Sequence, residues 1–161
     1  MNKTTFFAYA RRAPFGGRLS QAQVSGTEAI LAEAAKRNLP DEQIAYILAT
    51  VFHETGGKMQ PNEENLNYTS AARIRQVWPK RFATIAAAEP YVRQPQKLAN
   101  KVYGGRMGNT GANDGWRYIG RGLPHVTGKD NYKKFGIADA PEKALELATA
   151  IRILFEGMLL G

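Results

Sequence analysis

Ile44, Ile47, Leu48, Val51 and Phe52 fall at i, i+3, i+4, i+7 and i+8, an apolar stripe that only an α-helix gathers onto one face. Asp41 is a good N-cap for that helix, and Gly56-Gly57 ends it. Signals of the same kind recur along the chain. Ser20 and Gln23 form a capping box that opens a helix through Val24, Thr27, Leu31 and Ala34 or Ala35, stopping near Asn38. Thr69 caps a third helix through Ile74, Val77 and Trp78, which Pro79 terminates. An Ala-rich segment from Thr84 and a helix from Gln96 to Tyr103 follow, the latter closing at Gly104-Gly105. Asp139, Pro141 and Glu142 open a last helix carrying Leu145, Ala148, Ile151, Leu154, Phe155 and Met158. Residues 104–128 are too rich in glycine to sustain a helix and predict a small β-hairpin or irregular loop module. The expected fold is mainly α (α+β) in one domain of 161 residues, a length that buries roughly 70 % of the unfolded surface.

Composition removes several chemistries. With no cysteine there is no disulfide scaffold, no thiolate-ligated zinc and no Cys nucleophile. Two histidines, His53 and His125, are too few for a His-built metal site. His53-Glu54-Thr55 has Gly57 where a zinc-protease helix places its second histidine. There is no Gly-x-Ser-x-Gly elbow, and the glycines from Gly104 to Gly108 lack the Lys-Ser/Thr and the following helix of a phosphate loop. No apolar run approaches the roughly 20 residues of a membrane span, and the first residues break their apolar run too early for a secretory signal. Neither membrane insertion nor self-directed export is expected.

The net charge of +8 points to a polyanionic partner, and its distribution is uneven. Residues 28–64 carry three bases and seven acids, whereas residues 65–134 carry thirteen bases and three acids. The acidic block holds Glu54, on the apolar stripe of its helix at about 100° per residue and at the helix C-terminus, where the macrodipole disfavours a carboxylate. Both effects raise a carboxyl pKa, as a general acid requires. The competing role is a hydrogen bond to the Gly56-Gly57 turn or a pairing with Lys58 or an arginine. Glu63 and Glu64 lie nine and ten residues further on, across the turn and Pro61, so the chain can fold back and set one of them opposite Glu54. Two carboxyls flanking a cleft are the apparatus of glycosidic hydrolysis.

Several blocks then converge: Ala45 through Gly57 with Met59-Gln60-Pro61, Val102 through Asn109, Asp114 through Gly122, Val126-Thr127-Gly128, and Asn131-Tyr132. In this order, from about Phe6 to near the C-terminus, the chain resembles glycoside hydrolase family nineteen, the chitinase-like group that includes phage endolysins. The resemblance implies a lysozyme-like, two-lobed helical fold around a substrate cleft. It also implies cofactor-free, inverting hydrolysis of β-1,4 links between N-acetylated sugars. By position, Glu54 resembles the catalytic acid, Glu63 the second carboxylate with Glu64 as rival, and Thr127 the residue that helps hold the attacking water. Asn131 resembles a substrate-binding Asn, and Tyr103 and Tyr118 fall in cleft-lining blocks. Trp78 is a candidate for sugar stacking or for the core. Arg121 is expected to brace the Gly-rich module. Inversion asks for roughly 6.5–9.5 Å between the two carboxyls.

Two departures stand out. His125, after Pro124, replaces a sugar-contacting Gln with a group that titrates, and Ile119 departs from the usual Tyr-Arg-Gly-Arg-Gly pattern. The chain also stops at Leu159-Leu160-Gly161, earlier than family chains commonly do, so the expectation is either a truncated form or a partner or neighbouring element that covers this apolar end. The leading expectation is a monomeric peptidoglycan-cleaving endolysin, made in the cytoplasm and acting at the bacterial wall. Chitinase is the alternative on a neutral polymer. A non-catalytic wall- or nucleic-acid-binding module is the alternative of another class, although paired carboxylates argue against nucleic acid as partner.

Overall fold

The computed structural model describes residues 1–159. Its helices are α1 (Lys3–Arg12), α2 (Gln21–Lys36), α3 (Asp41–Glu54), α4 (Ala71–Val77), α5 (Ile85–Ala88), α6 (Pro95–Tyr103), α7 (Asp114–Arg117), α8 (Lys129–Lys134) and α9 (Leu147–Leu159). Two short strands, β1 (Asn62–Glu63) and β2 (Arg121–Gly122), pair with each other. The fold is mainly helical with this one small sheet, as the apolar periodicity requires. Among the described residues no helix is long and apolar enough to cross a membrane. The apolar chain end falls largely on Leu160 and Gly161, outside the described residues.

The backbone divides into two compact units. Among the described residues, unit 1 comprises 1–62, 122–124 and 145–159, and unit 2 comprises 63–121 and 125–144. In unit 1 the core joins Ile30 and Ala34 of α2, Ile47 and Val51 of α3, Met59, Leu123, and Ala150, Ile151, Leu154 and Phe155 of α9. The stripe on α3 therefore buries as its spacing demands, with Ile44, Leu48 and Phe52 packed partly buried around the same cluster. In unit 2, Ile74, Phe82, Leu98 and Val102 form one buried cluster, and Leu66, Ala99 and Ile119 a second.

Helix boundaries differ from expectation at three places. Pro40, rather than Asp41, is the N-cap of α3, because its extended backbone lets its carbonyl accept from the Gln43 and Ile44 amides. Asp41 and Glu42 sit instead in the first turn, where the positive end of the dipole favours them. Ser70, rather than Thr69, caps α4, its hydroxyl accepting from the Arg73 amide at 3.3 Å. The last helical run is two elements: a 3-10 turn over Pro141–Leu145, then α9. The Glu146 carbonyl accepts from the Ala150 amide at 2.8 Å, restarting the helix close to where the chain leaves unit 2 for unit 1. Helix α1, with Asn2 as cap, has no counterpart in the sequence expectations. In the Gly-rich module, β2 takes its partner from outside, at β1, and the inner contact is a single bridge between Arg121 and Val126.

Gly26 fixes the approach of α2 to the segment after α3. A Cβ at this position would overlap the Met59 carbonyl oxygen and lie 2.9 Å from the side-chain Nε2 of Gln60. Neither the helix nor the segment packed on it can yield without losing core contacts. Gly26→Ala is therefore expected to destabilise the protein by about 2–3 kcal/mol, read as a lower urea midpoint at unchanged slope. A wild-type midpoint would contradict this packing.

Candidate active site

In unit 1 the candidate acid, Glu54, is the last residue of α3 and is half-buried. The turn that follows it is pinned from two sides. Thr55 is buried; its hydroxyl donates to the Val51 carbonyl at 2.6 Å and accepts from the Met59 amide at 3.0 Å. Gln23 of α2 accepts from the Ser20 amide through Oε1 and donates through Nε2 to the Gly57 carbonyl at 2.9 Å. Gln60 donates to the Ala22 carbonyl at 2.6 Å. Gly56 and Gly57 supply the left-handed backbone of the turn, at φ 58° and 78°. The capping box seen in the sequence thus has a second job, holding the segment after Glu54. Gln23 and Gly57 are 34 residues apart, and no local pattern carries that signal.

In unit 2 the two adjacent carboxylates are separated by the alternation of extended backbone. Glu64 turns inward. Its carboxylate accepts from the Tyr103 hydroxyl at 2.9 Å and from the Gly120 amide at 2.6 Å, while its own amide donates to the Gly120 carbonyl at 2.9 Å. Glu63 is exposed and accepts from Arg121 Nε at 2.5 Å. Arg121 also donates to the Arg117 carbonyl at 2.8 Å and to the Tyr132 hydroxyl at 3.4 Å. Burial works against the Arg121 cation, and the hydrogen bonds with Tyr132 and Glu63 outweigh it, so the guanidinium holds its proton more firmly than usual. Arg121 braces the module as expected and also fixes Glu63.

Gly120 is where these groups meet. A Cβ there would lie 3.1 Å from Thr127 Oγ1 and 3.3 Å from Glu64 Oε1, so its lack of a side chain lets both oxygens close on the same backbone. Thr127 is half-buried and donates to the His125 carbonyl at 3.1 Å; Asn131 is exposed and donates to the Thr127 carbonyl at 2.8 Å. His125 is half-buried, in the left-handed region at φ 51°. Tyr118 is 4 % exposed, with its ring against Tyr132 and its hydroxyl donated to the Ala138 carbonyl, the setting of a packing residue rather than of an open sugar contact. Trp78 is half-buried edge-on to Tyr68 at 5.3 Å. Among the described residues no group of three His, Asp or Glu side chains is placed to hold a metal ion.

Two phenols record how closed the Glu64 cluster is. Burial, then the neighbouring Glu64 carboxylate, pushes the Tyr103 phenol well above its ordinary range. Burial pushes Tyr132 up to about 12 against the opposing pull of Arg121. Unfolded tyrosines ionise near 10, so above that pH the unfolded chain sheds these protons first. The stabilisation is complete below about pH 10 and is lost as pH rises through the folded values. Urea midpoints are therefore expected to fall between pH 10 and 12, and to fall less steeply in Tyr103→Phe and Tyr132→Phe. An equally steep fall in both variants would contradict this account.

No family model matches the chain. A curated protein of Haemophilus influenzae (strain ATCC 51907 / DSM 11121 / KW20 / Rd), described as a glycosyl hydrolase family 19 domain-containing protein, is 41 % identical to it over 111 residues. The match covers 67 % of this chain and 54 % of the relative, so the chain spans about half the relative's length. Over two thirds of its length the chain is thus similar to a glycosyl hydrolase family 19 domain-containing protein, the family that the ordered blocks of its sequence resemble.

Proposed function

We propose that the protein is an endolysin-type glycoside hydrolase that cleaves β-1,4 links between N-acetylated sugars of bacterial peptidoglycan, with inversion. The observation that carries this reading is the family relationship, coupled to an acid at each of the two positions where the chemistry asks for one. Glu54 gives its proton to the glycosidic oxygen as the C–O bond breaks. Glu63 takes a proton from a water that attacks the anomeric carbon from the opposite face. Thr127 helps to hold that water, and Asn131 and Tyr103 contribute to sugar binding. His125 stands at a sugar-contacting position and brings a titratable ring there. No metal or cofactor enters the scheme.

Several features support the division of labour. Glu54 is half-buried at a helix end whose following turn is anchored on α2. Glu63 is exposed yet oriented by Arg121, and is therefore open to water. Glu64 has its carboxylate committed to Tyr103 and Gly120, which suits an anchor better than a base. The basic balance of residues 65–134 favours a wall polymer bearing carboxylates and phosphates over neutral chitin.

Clearing of purified cell wall tests the proposal. Glu54→Gln and Glu63→Gln are each expected to lower the rate about 10²–10⁴-fold while remaining folded. Glu64→Gln is expected to lower the urea midpoint. Clearing by Glu54→Gln at the wild-type rate would contradict the role given to Glu54, and no clearing by the wild type itself would leave a binding module rather than an enzyme. Faster turnover of chitin oligomers than of wall would make the protein a chitinase.

A further inference from the structure

Unit 2 carries a depression of about 490 Å³ lined by Val77, Trp78, Pro79, Lys80, Arg81 and Arg106. It is not part of the hydrogen-bonded carboxylate cluster, and its wall has an unusual charge pattern. Lys80, Arg81 and Arg106 are all exposed, and none forms an ion pair among the described residues, although Arg121 and Lys129 of the same unit do. From Asn65 to Asn113 the only acid is Glu89, so no nearby stretch of chain supplies counter-charge. Three unpaired cations around one indole are poorly explained by packing. Lys80 and Arg81 follow Pro79, past the end of α4, and extend neither its helix nor its apolar face.

The depression borders the Glu64 cluster. Trp78 packs edge-on to Tyr68, and both belong with Tyr103 to the apolar surroundings of Leu66, Ala99 and Ile119. Arg106 lies three residues beyond Tyr103, close enough to oppose the upward shift of its phenol. Trp78 and Arg106 thus lie beside Tyr103, one of the residues proposed to contribute to sugar binding. An indole offers an apolar face to a sugar ring, and Arg forks and a Lys ammonium offer charge-assisted hydrogen bonds to a carboxylate. A neutral chain would use the indole and leave all three cations to water.

We propose that this depression is a subsite for a carboxylate carried on the glycan, with Trp78 against the sugar ring and Lys80, Arg81 and Arg106 around the charge. The proposal rests on the wall-glycan reading for its ligand, and it separates a carboxylated wall polymer from chitin by a named set of side chains. Two sources supply the same chemistry: an acid group on the sugar itself, or the carboxylates of an attached peptide stem.

Binding without turnover tests it. The full chain carrying Glu54→Gln is titrated at low salt with peptide-free wall glycan strands, with peptide-bearing strands and with chitin oligomers of equal length. The titrations are repeated with Lys80→Ala and Arg106→Ala added. Peptide-free strands are expected to bind about tenfold more tightly than chitin. The two added substitutions are expected to shrink that advantage to within twofold at an unchanged melting temperature. An advantage confined to peptide-bearing strands, and equally lost in the variant, assigns the carboxylate to the stem and upholds the subsite. Equal binding of chitin and wall strands overturns the proposal, as does an advantage that survives both substitutions. Failure of the hydrolase reading would appear elsewhere, as wall clearing indifferent to Glu54→Gln.

Discussion

Glu64 is bound to Gly120 twice, through its carboxylate on the Gly120 amide and through its own amide on the Gly120 carbonyl. Most of the candidate chemistry in unit 2 follows from that clasp. It fixes the strand that carries Glu63, and the alternation of extended backbone then sends Glu63 outward to Arg121 while Glu64 points inward to Tyr103. It also brings Thr127 Oγ1 beside the same glycine, where any side chain would intrude. A half-buried carboxylate with two donors costs more to pull away than its bonds add on average, because the donors would be left unsatisfied. In the proposed division of labour Glu64 is the anchor, and the acid proposed for chemistry is its neighbour Glu63.

Unit 1 solves a similar problem with different means. Glu54 ends a helix, and a helix end frays unless something holds the chain beyond it. Here the hold comes from the Thr55 hydroxyl within the turn and from Gln23 and Gln60 at its edges, with Gly26 letting α2 approach the Met59 carbonyl. These contacts are mostly side chain to backbone. They orient a segment without burying an additional charge.

The helices were legible because their signals are local: the stripe from Ile44 to Phe52, the box at Ser20 and Gln23, the glycines after Glu54. Boundaries slipped by a residue at Pro40 and Ser70, where neighbouring residues compete for one cap, and the last helix split because a local pattern cannot register where a chain passes from one unit to the next. Glu54, Glu63 and Glu64 stood out as residue types at a spacing. Which of the last two faces outward was not readable, since it depends on register against Gly120, 56 residues away from Glu64. Tyr118 sat in the right block and is buried all the same, because family position says nothing of exposure. Gln23, Thr55 and Gln60 carried no signal of their role, which arises only once α2 and the turn after α3 meet.

The stereochemistry of the first product tests the central claim most directly. Proton NMR of wild-type protein acting on peptide-free wall glycan strands resolves the anomeric configuration released before mutarotation. Two carboxylates acting on opposite faces of a β-1,4 linkage through a single water-attack step predict the α-anomer. An initial β-anomer would mean a covalent or substrate-assisted route and would contradict the roles given to Glu54 and Glu63.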